Sequence, residues 1–87
     1  MRASIKKFGR KSCHERVYPN GYRILISYAT PVGAFVPGIG YLKTSEWYSR
    51  TTTMHLQMWL EGAHSTPVSP ADLRKELDFL DSLKMEV

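Results

Sequence analysis

The clearest pattern in the chain is an alternation. Tyr22, Ile24, Ile26 and Tyr28 interleave with Arg23, Leu25, Ser27 and Ala29. Period-two alternation of aromatic and β-branched residues predicts a strand with one face inward. Thr30-Pro31 interrupts it, because proline cannot donate to a sheet ladder, and predicts a bend or an edge. Val32 to Val36 continues in extended form, Pro37-Gly38-Ile39-Gly40 reads as a turn, and Tyr41-Leu42-Lys43-Thr44 reads as the returning strand. Upstream, Glu15 to Tyr18 is short and extended, and Pro19-Asn20-Gly21 is a turn signal. The expected sheet is an antiparallel meander of three to four strands.

The pattern then changes period. Thr52, His55, Leu56, Trp59 and Ala63 fall on one stripe at helical spacing, with a start near Ser49 or Thr51 and a stop at Gly62. Residues 63–68 read as a linker. The second helix has Ser69 as N-cap, Pro70 at its first position, Asp72 in its first turn, and a face of Leu73, Leu77, Leu80 and Leu83 with Phe79 beside it. The predicted fold class is α+β, a small antiparallel sheet covered on one face by two C-terminal helices. Residues 1–12 are polar and basic and read as a flexible arm, so the predicted division is an arm over 1–13 and a domain over 14–87.

Length and charge add to this. At 87 residues the chain is one domain with a modest core and little room for a deep substrate cavity. The single Cys13 excludes an internal disulfide, and no apolar run is long enough to span a bilayer, so a cytosolic protein is expected. The net charge of +4 is unevenly placed. Residues 1–23 carry seven cations (Arg2, Lys6, Lys7, Arg10, Lys11, Arg16 and Arg23) against Glu15, or +6; the remainder carries five cations and seven anions, or −2. Such an arm suits a polyanionic partner, and it also serves as a solvated tail.

Candidate chemistry is sparse. Cys13, His14, His55 and His64 lack the paired spacing of a zinc site, and no glycine-rich loop matches a phosphate or dinucleotide motif, so neither metal nor cofactor is expected. The stretch from Tyr48 to His55 gathers hydroxyls, a cation and an imidazole. His55 could activate Thr51, four residues earlier, although an orienting carboxylate and an oxyanion hole are not visible. The competing reading has His55 half-buried and hydrogen-bonded beside Leu56 and Trp59, with the threonines as caps. Tyr18, Tyr22, Tyr28 and Tyr41 on the strands could stack on bases or serve the core.

Two stretches carry a resemblance, Ser27-Tyr28-Ala29-Thr30-Pro31-Val32-Gly33-Ala34 and Tyr48-Ser49-Arg50-Thr51-Thr52-Thr53-Met54-His55 with Trp59-Leu60 behind it; Tyr41-Leu42-Lys43-Thr44 lies between them. Over about residues 22–61 the chain resembles a family of small uncharacterised bacteriophage and plasmid proteins with a core of the form SYxTPVA…YYKT…YSxTTxxHxxxWL. It departs from that form at Gly33, where alanine is expected, and at an extra Thr53. The resemblance implies a mobile-element origin, does not imply an activity, and draws notice to Thr51, Thr52 and His55, which with Tyr48 form a candidate functional cluster.

Together these readings lead to a non-enzymatic accessory protein of a phage or mobile element that binds nucleic acid through Lys6, Lys7, Arg10, Lys11, Arg16 and Arg23. Two alternatives stand beside it. One is a protein-binding module that inhibits a host defence or replication factor, anchored by Trp47, Tyr48, Met54 or Met58. The other is a small hydrolase or nuclease dependent on His55.

Overall fold

A computed structural model describes residues 4–7 and 13–83. Its core is a six-stranded sheet whose spatial order follows the sequence: β1 (Ser4–Lys7), β2 (Cys13–Val17), β3 (Arg23–Ser27), β4 (Thr30–Val36), β5 (Gly40–Thr44) and β6 (Ser65–Val68). The first five strands form an antiparallel meander, and β6 joins β5 in parallel. Adjacent parallel strands need a crossover of about a dozen residues or more. Here helix α1 (Arg50–Leu60) lies within that crossover, and helix α2 (Pro70–Ser82) follows β6.

The α+β class is as the sequence predicts, but the sheet is larger, and the helices lie on opposite faces. The reason is in β3. Ile24 and Ile26 pack with Leu73, Leu77 and Leu80 of α2, whereas their alternate neighbour Leu25 packs with Leu56 and Trp59 of α1. Both faces of the strand are apolar, as in a sheet covered on both sides. A sheet covered on one face alone would leave Leu25 in solvent.

Three elements were hidden by composition. β6 contains Ser, Thr and Pro and so reads as a linker; it is a sheet edge, where Pro67 is tolerated. β1 falls inside the expected flexible arm. All four of its residues are exposed and show no alternation, yet they pair in register with β2, from Ser4↔Val17 to Lys7↔His14. The remainder of that arm, residues 1–3 and 8–12, lies outside the described residues. The third is the turn between β3 and β4, which sits at Tyr28-Ala29 rather than at Thr30-Pro31. Pro31 pairs with Ile26 inside the sheet, and the register shift between Leu25 and Ile26 makes Val32 an extra residue in β4. That bulge turns Val32 towards the α1 cluster, beside Gly33, instead of towards the face of Ala34.

The helix ends follow their sequence signals. Ser49 Oγ accepts from the Thr52 backbone N–H at 3.1 Å and starts α1; Ser69 Oγ accepts from that of Asp72 at 3.2 Å and starts α2. Helix α1 stops at Glu61 and Gly62, both left-handed at φ +50° and +81°.

Gly33 explains how closely α1 approaches the sheet. A Cβ at this position would lie 2.8 Å from Cζ3 of Trp59, so the indole rests on bare backbone. Gly33→Ala should therefore destabilise the fold by about 1–3 kcal/mol, read by urea denaturation, because a fixed ring offers no flexible end to move aside. On the other face, Leu77→Ala should cost about 2–4 kcal/mol, since Leu77 is buried in the α2 cluster. A loss below about 0.5 kcal/mol for either would contradict the packing described.

Candidate functional site

The strand directions collect one end of the sheet into a single place. Cys13 pairs with Ser27, Ser27 with Thr30, and Lys7 with His14. The connection 8–12, the Tyr28-Ala29 turn and the loop 45–49 that leads into α1 are therefore all attached at this end. The parallel pairing of Thr44 with Val68 brings the start of α2 there as well.

Between the Tyr28-Ala29 turn and the start of α1 lies an open cleft of about 410 Å³, lined in part by Ser27, Tyr28, Thr30, Tyr48, Thr51 and Thr52. Its floor is a hydrogen-bonded network. Ser27 Oγ is 3.1 Å from Thr52 Oγ1 and 3.2 Å from His55 Nδ1, and Ser49 Oγ donates to Thr52 Oγ1 at 3.2 Å. Ser27, Thr52 and His55 are all buried. Of the residues singled out from the Tyr48–His55 stretch, the structure brings Tyr48, Thr51 and Thr52 to the cleft wall and His55 beneath it. His55 meets Ser27, from a different element, whereas helical spacing suggests Thr51. Ser27 was missed because long-range pairing leaves no spacing signal. Its position just before the turn was the available clue.

The network joins α1 to β3 through polar groups that satisfy one another, in keeping with His55 as a packed, hydrogen-bonded residue. It also presents a hydroxyl next to an imidazole, the minimum for nucleophile activation. Among the described residues, no group of three or more His, Cys, Asp and Glu is placed to hold a metal ion.

The N-terminal cations among the described residues divide into three sets. Lys6 and Lys7 stand exposed on edge strand β1, on opposite faces. Arg16 is half-buried on β2, on the face of His14, and its Nε is buried without a hydrogen-bond partner. Burial, and secondly the Arg16 charge, hold the His14 imidazole below its usual range. Arg23 is engaged internally: it lies 3.5 Å from Glu15, donates to the Tyr41 hydroxyl at 2.7 Å, and its guanidinium sits 4.6 Å from the Phe35 ring centre. Glu15, buried at 4% exposure, also accepts a short hydrogen bond from the Trp59 indole N–H. Arg10 and Lys11 lie outside the described residues.

The tyrosines divide likewise. Tyr18 is in the core, Tyr22 packs against Phe79, and Tyr41 meets Phe35 and Trp59 edge-on. Tyr28, in the β3–β4 turn, lies with its ring 6.4 Å from that of His55 and is 58% exposed, and Tyr48, in the loop before α1, is 42% exposed.

The architecture defines a small α+β domain built on a mixed six-stranded sheet with a helix on each face. The chain belongs to a family of unknown function, DUF8033, whose profile matches residues 3–75. The match takes in β1 and stops within α2, and it carries no statement of activity or origin. No curated protein and no solved structure matches the chain. Among the described residues, no helix is long and apolar enough to cross a membrane.

Two outcomes test this description. His55→Ala should cost about 1–3 kcal/mol in thermal or urea unfolding, because it strips a partner from the buried Ser27 hydroxyl; an unchanged midpoint would mean that the network contributes nothing. Cys13 is fully buried, and burial pushes its thiol up to about 11. Its reaction with a disulfide reagent at neutral pH should be at least about a hundredfold slower in the native protein than in urea.

Proposed function

We propose that this protein is a non-enzymatic accessory protein that binds nucleic acid through its basic β1–β2 hairpin. The observation that carries the reading is the placement of Lys6 and Lys7. They project from the two faces of a fully exposed edge strand, and the chain that continues from it to β2 carries Arg10 and Lys11. A two-stranded ribbon edged with cations can lie along a phosphate backbone. Arg16, on the second strand of the hairpin, extends the set. Arg23 stands outside it, because Glu15, Tyr41 and Phe35 already occupy its guanidinium. The association with a phage or mobile element rests on the sequence resemblance alone.

Affinity in this reading comes from released counterions, with little base specificity. A fluorescence-anisotropy titration at several salt concentrations tests it. With about three to five phosphate contacts, log K should fall against log salt at about −0.9 per contact on duplex DNA. Replacing Lys6, Lys7, Arg10 and Lys11 with alanine should flatten that slope and weaken binding on all sequences alike. Arg23→Ala should lower stability and leave the slope unchanged. Absence of binding to DNA and RNA at low salt would overturn the proposal.

The contact of Ser27 Oγ with His55 Nδ1 favours a second reading, a small hydrolase with Ser27 as nucleophile. It ranks lower because Ser27 is 2% exposed, which keeps a substrate from its hydroxyl. Covalent labelling of Ser27 by a fluorophosphonate probe would promote it.

A further inference from the structure

We infer that the cleft beside the Tyr28-Ala29 turn takes unpaired bases of a single-stranded nucleic acid, with the rings of Tyr28 and Tyr48 as stacking platforms. This rests on the nucleic-acid reading and narrows it to a substrate class.

The first support is the exposure of these two rings. Tyr28 touches the fold through the His55 ring, 6.4 Å away and tilted, which leaves more than half of its surface in solvent, whereas the other three tyrosines are packed by partners within the fold. Tyr28 and Tyr48 both line the cleft, from the β3–β4 turn and from the loop before α1.

The second is the cost of holding Tyr28 in place. Tyr28 and Ala29 occupy φ +50° and +67°, the paired left-handed conformation of a tight hairpin turn. Asn-Gly or Asp-Gly is the usual choice there, since a Cβ is disfavoured at positive φ. A bulky ring at the first of these positions works against the turn that holds it. Residues kept in disfavoured backbone regions cluster at ligand sites.

The third is the setting. Exposed Lys7 ends β1 at this same end of the sheet, so a strand whose phosphates lie along β1 can reach the cleft with its bases. Exposed Arg50 begins α1 at the cleft, and Thr30, Ser49, Thr51 and Thr52 bring hydroxyls to its wall without a carboxylate. A volume of about 410 Å³ falls within the range of small-ligand sites and admits a nucleotide. Duplex DNA hides its base faces, so rings in this position discriminate for single strands.

The experiment is anisotropy at one fixed low salt concentration with a labelled single strand of about twelve nucleotides, as DNA and as RNA, and with the matching duplex. The variants are Tyr28→Gly, Tyr28→Phe and Tyr48→Ala. Tyr28→Gly removes the ring and suits the positive φ, so the turn is kept; circular dichroism and the urea midpoint confirm folding. Tyr28→Gly and Tyr48→Ala should each weaken single-strand binding about five- to a hundredfold while changing duplex binding by less than about twofold, and Tyr28→Phe should bind as wild type does. Unchanged single-strand affinity in both ring-deleted variants, with binding still lost in the Lys6, Lys7, Arg10 and Lys11 variant, would overturn this inference and leave the proposed function standing. Equal weakening on duplex and single strand would also overturn it. If wild-type protein bound neither, both readings would fall, and the exposed rings would become candidates for a protein contact.

Discussion

The packing of the Trp59 indole against the sheet is the contact on which the other features depend. The ring lies on Gly33 of β4, meets Tyr41 of β5 edge-on, and donates its N–H to Glu15 of β2. Glu15 in turn holds Arg23 of β3, whose guanidinium stacks over Phe35 and Tyr41. One side chain thus connects α1 with three strands directly and with β3 through Glu15. A buried carboxylate is costly unless paired, and here an indole N–H and a guanidinium share the load. With Trp59 seated, the first turns of α1 are brought over β3, where Thr52 and His55 meet Ser27. The cleft is a consequence of that placement.

This arrangement shows what the sequence could and could not reveal. Helix α2 was legible because all its signals are local: a serine cap, a proline at the first position and leucines at helical spacing. The α1 stripe was legible for the same reason, and its four residues from Thr52 to Trp59 are all buried. The second buried face of the sheet was not, because alternation in β3 reports period and not which side meets a helix. Edge strands were the other blind spot. β1 and β6 pair through backbone groups, which any side chain permits, so Ser-Ile-Lys-Lys and Ser-Thr-Pro-Val gave no hydrophobic signal.

The candidate site was legible in parts. Tyr48, Thr51, Thr52 and His55 do converge at the cleft, but Ser27, their partner across the fold, is separated from His55 by 28 positions and had no spacing to betray it. Charge counting treated the N-terminal cations as one set. The fold divides them, because Arg23 alternates with Ile24 and so shares the α1 face with the acid at Glu15, while Lys6 and Lys7 remain in solvent. A count of charge over a segment cannot see which cations are already neutralised.

Lysines on an edge strand have a competing explanation. An unpaired strand edge invites pairing with another chain, and lysines there block it. That role explains Lys6 and Lys7 without a ligand, but it has a limited reach. Protection of the edge needs charge along β1 itself and has no use for Arg10 and Lys11 in the connection beyond it, or for Arg16 on the neighbouring strand. It also gives no reason for a tyrosine at φ +50° to stand exposed at the same end of the sheet. The proposed polyanion binding would use these features together: cations along the ribbon and rings at the same end of the sheet. The two roles are compatible in the same lysines, since a charge that repels a second sheet edge attracts a phosphate backbone. What separates the proposed role from edge protection is therefore the residues off the edge, since Arg10, Lys11 and Arg16 have no part in guarding β1.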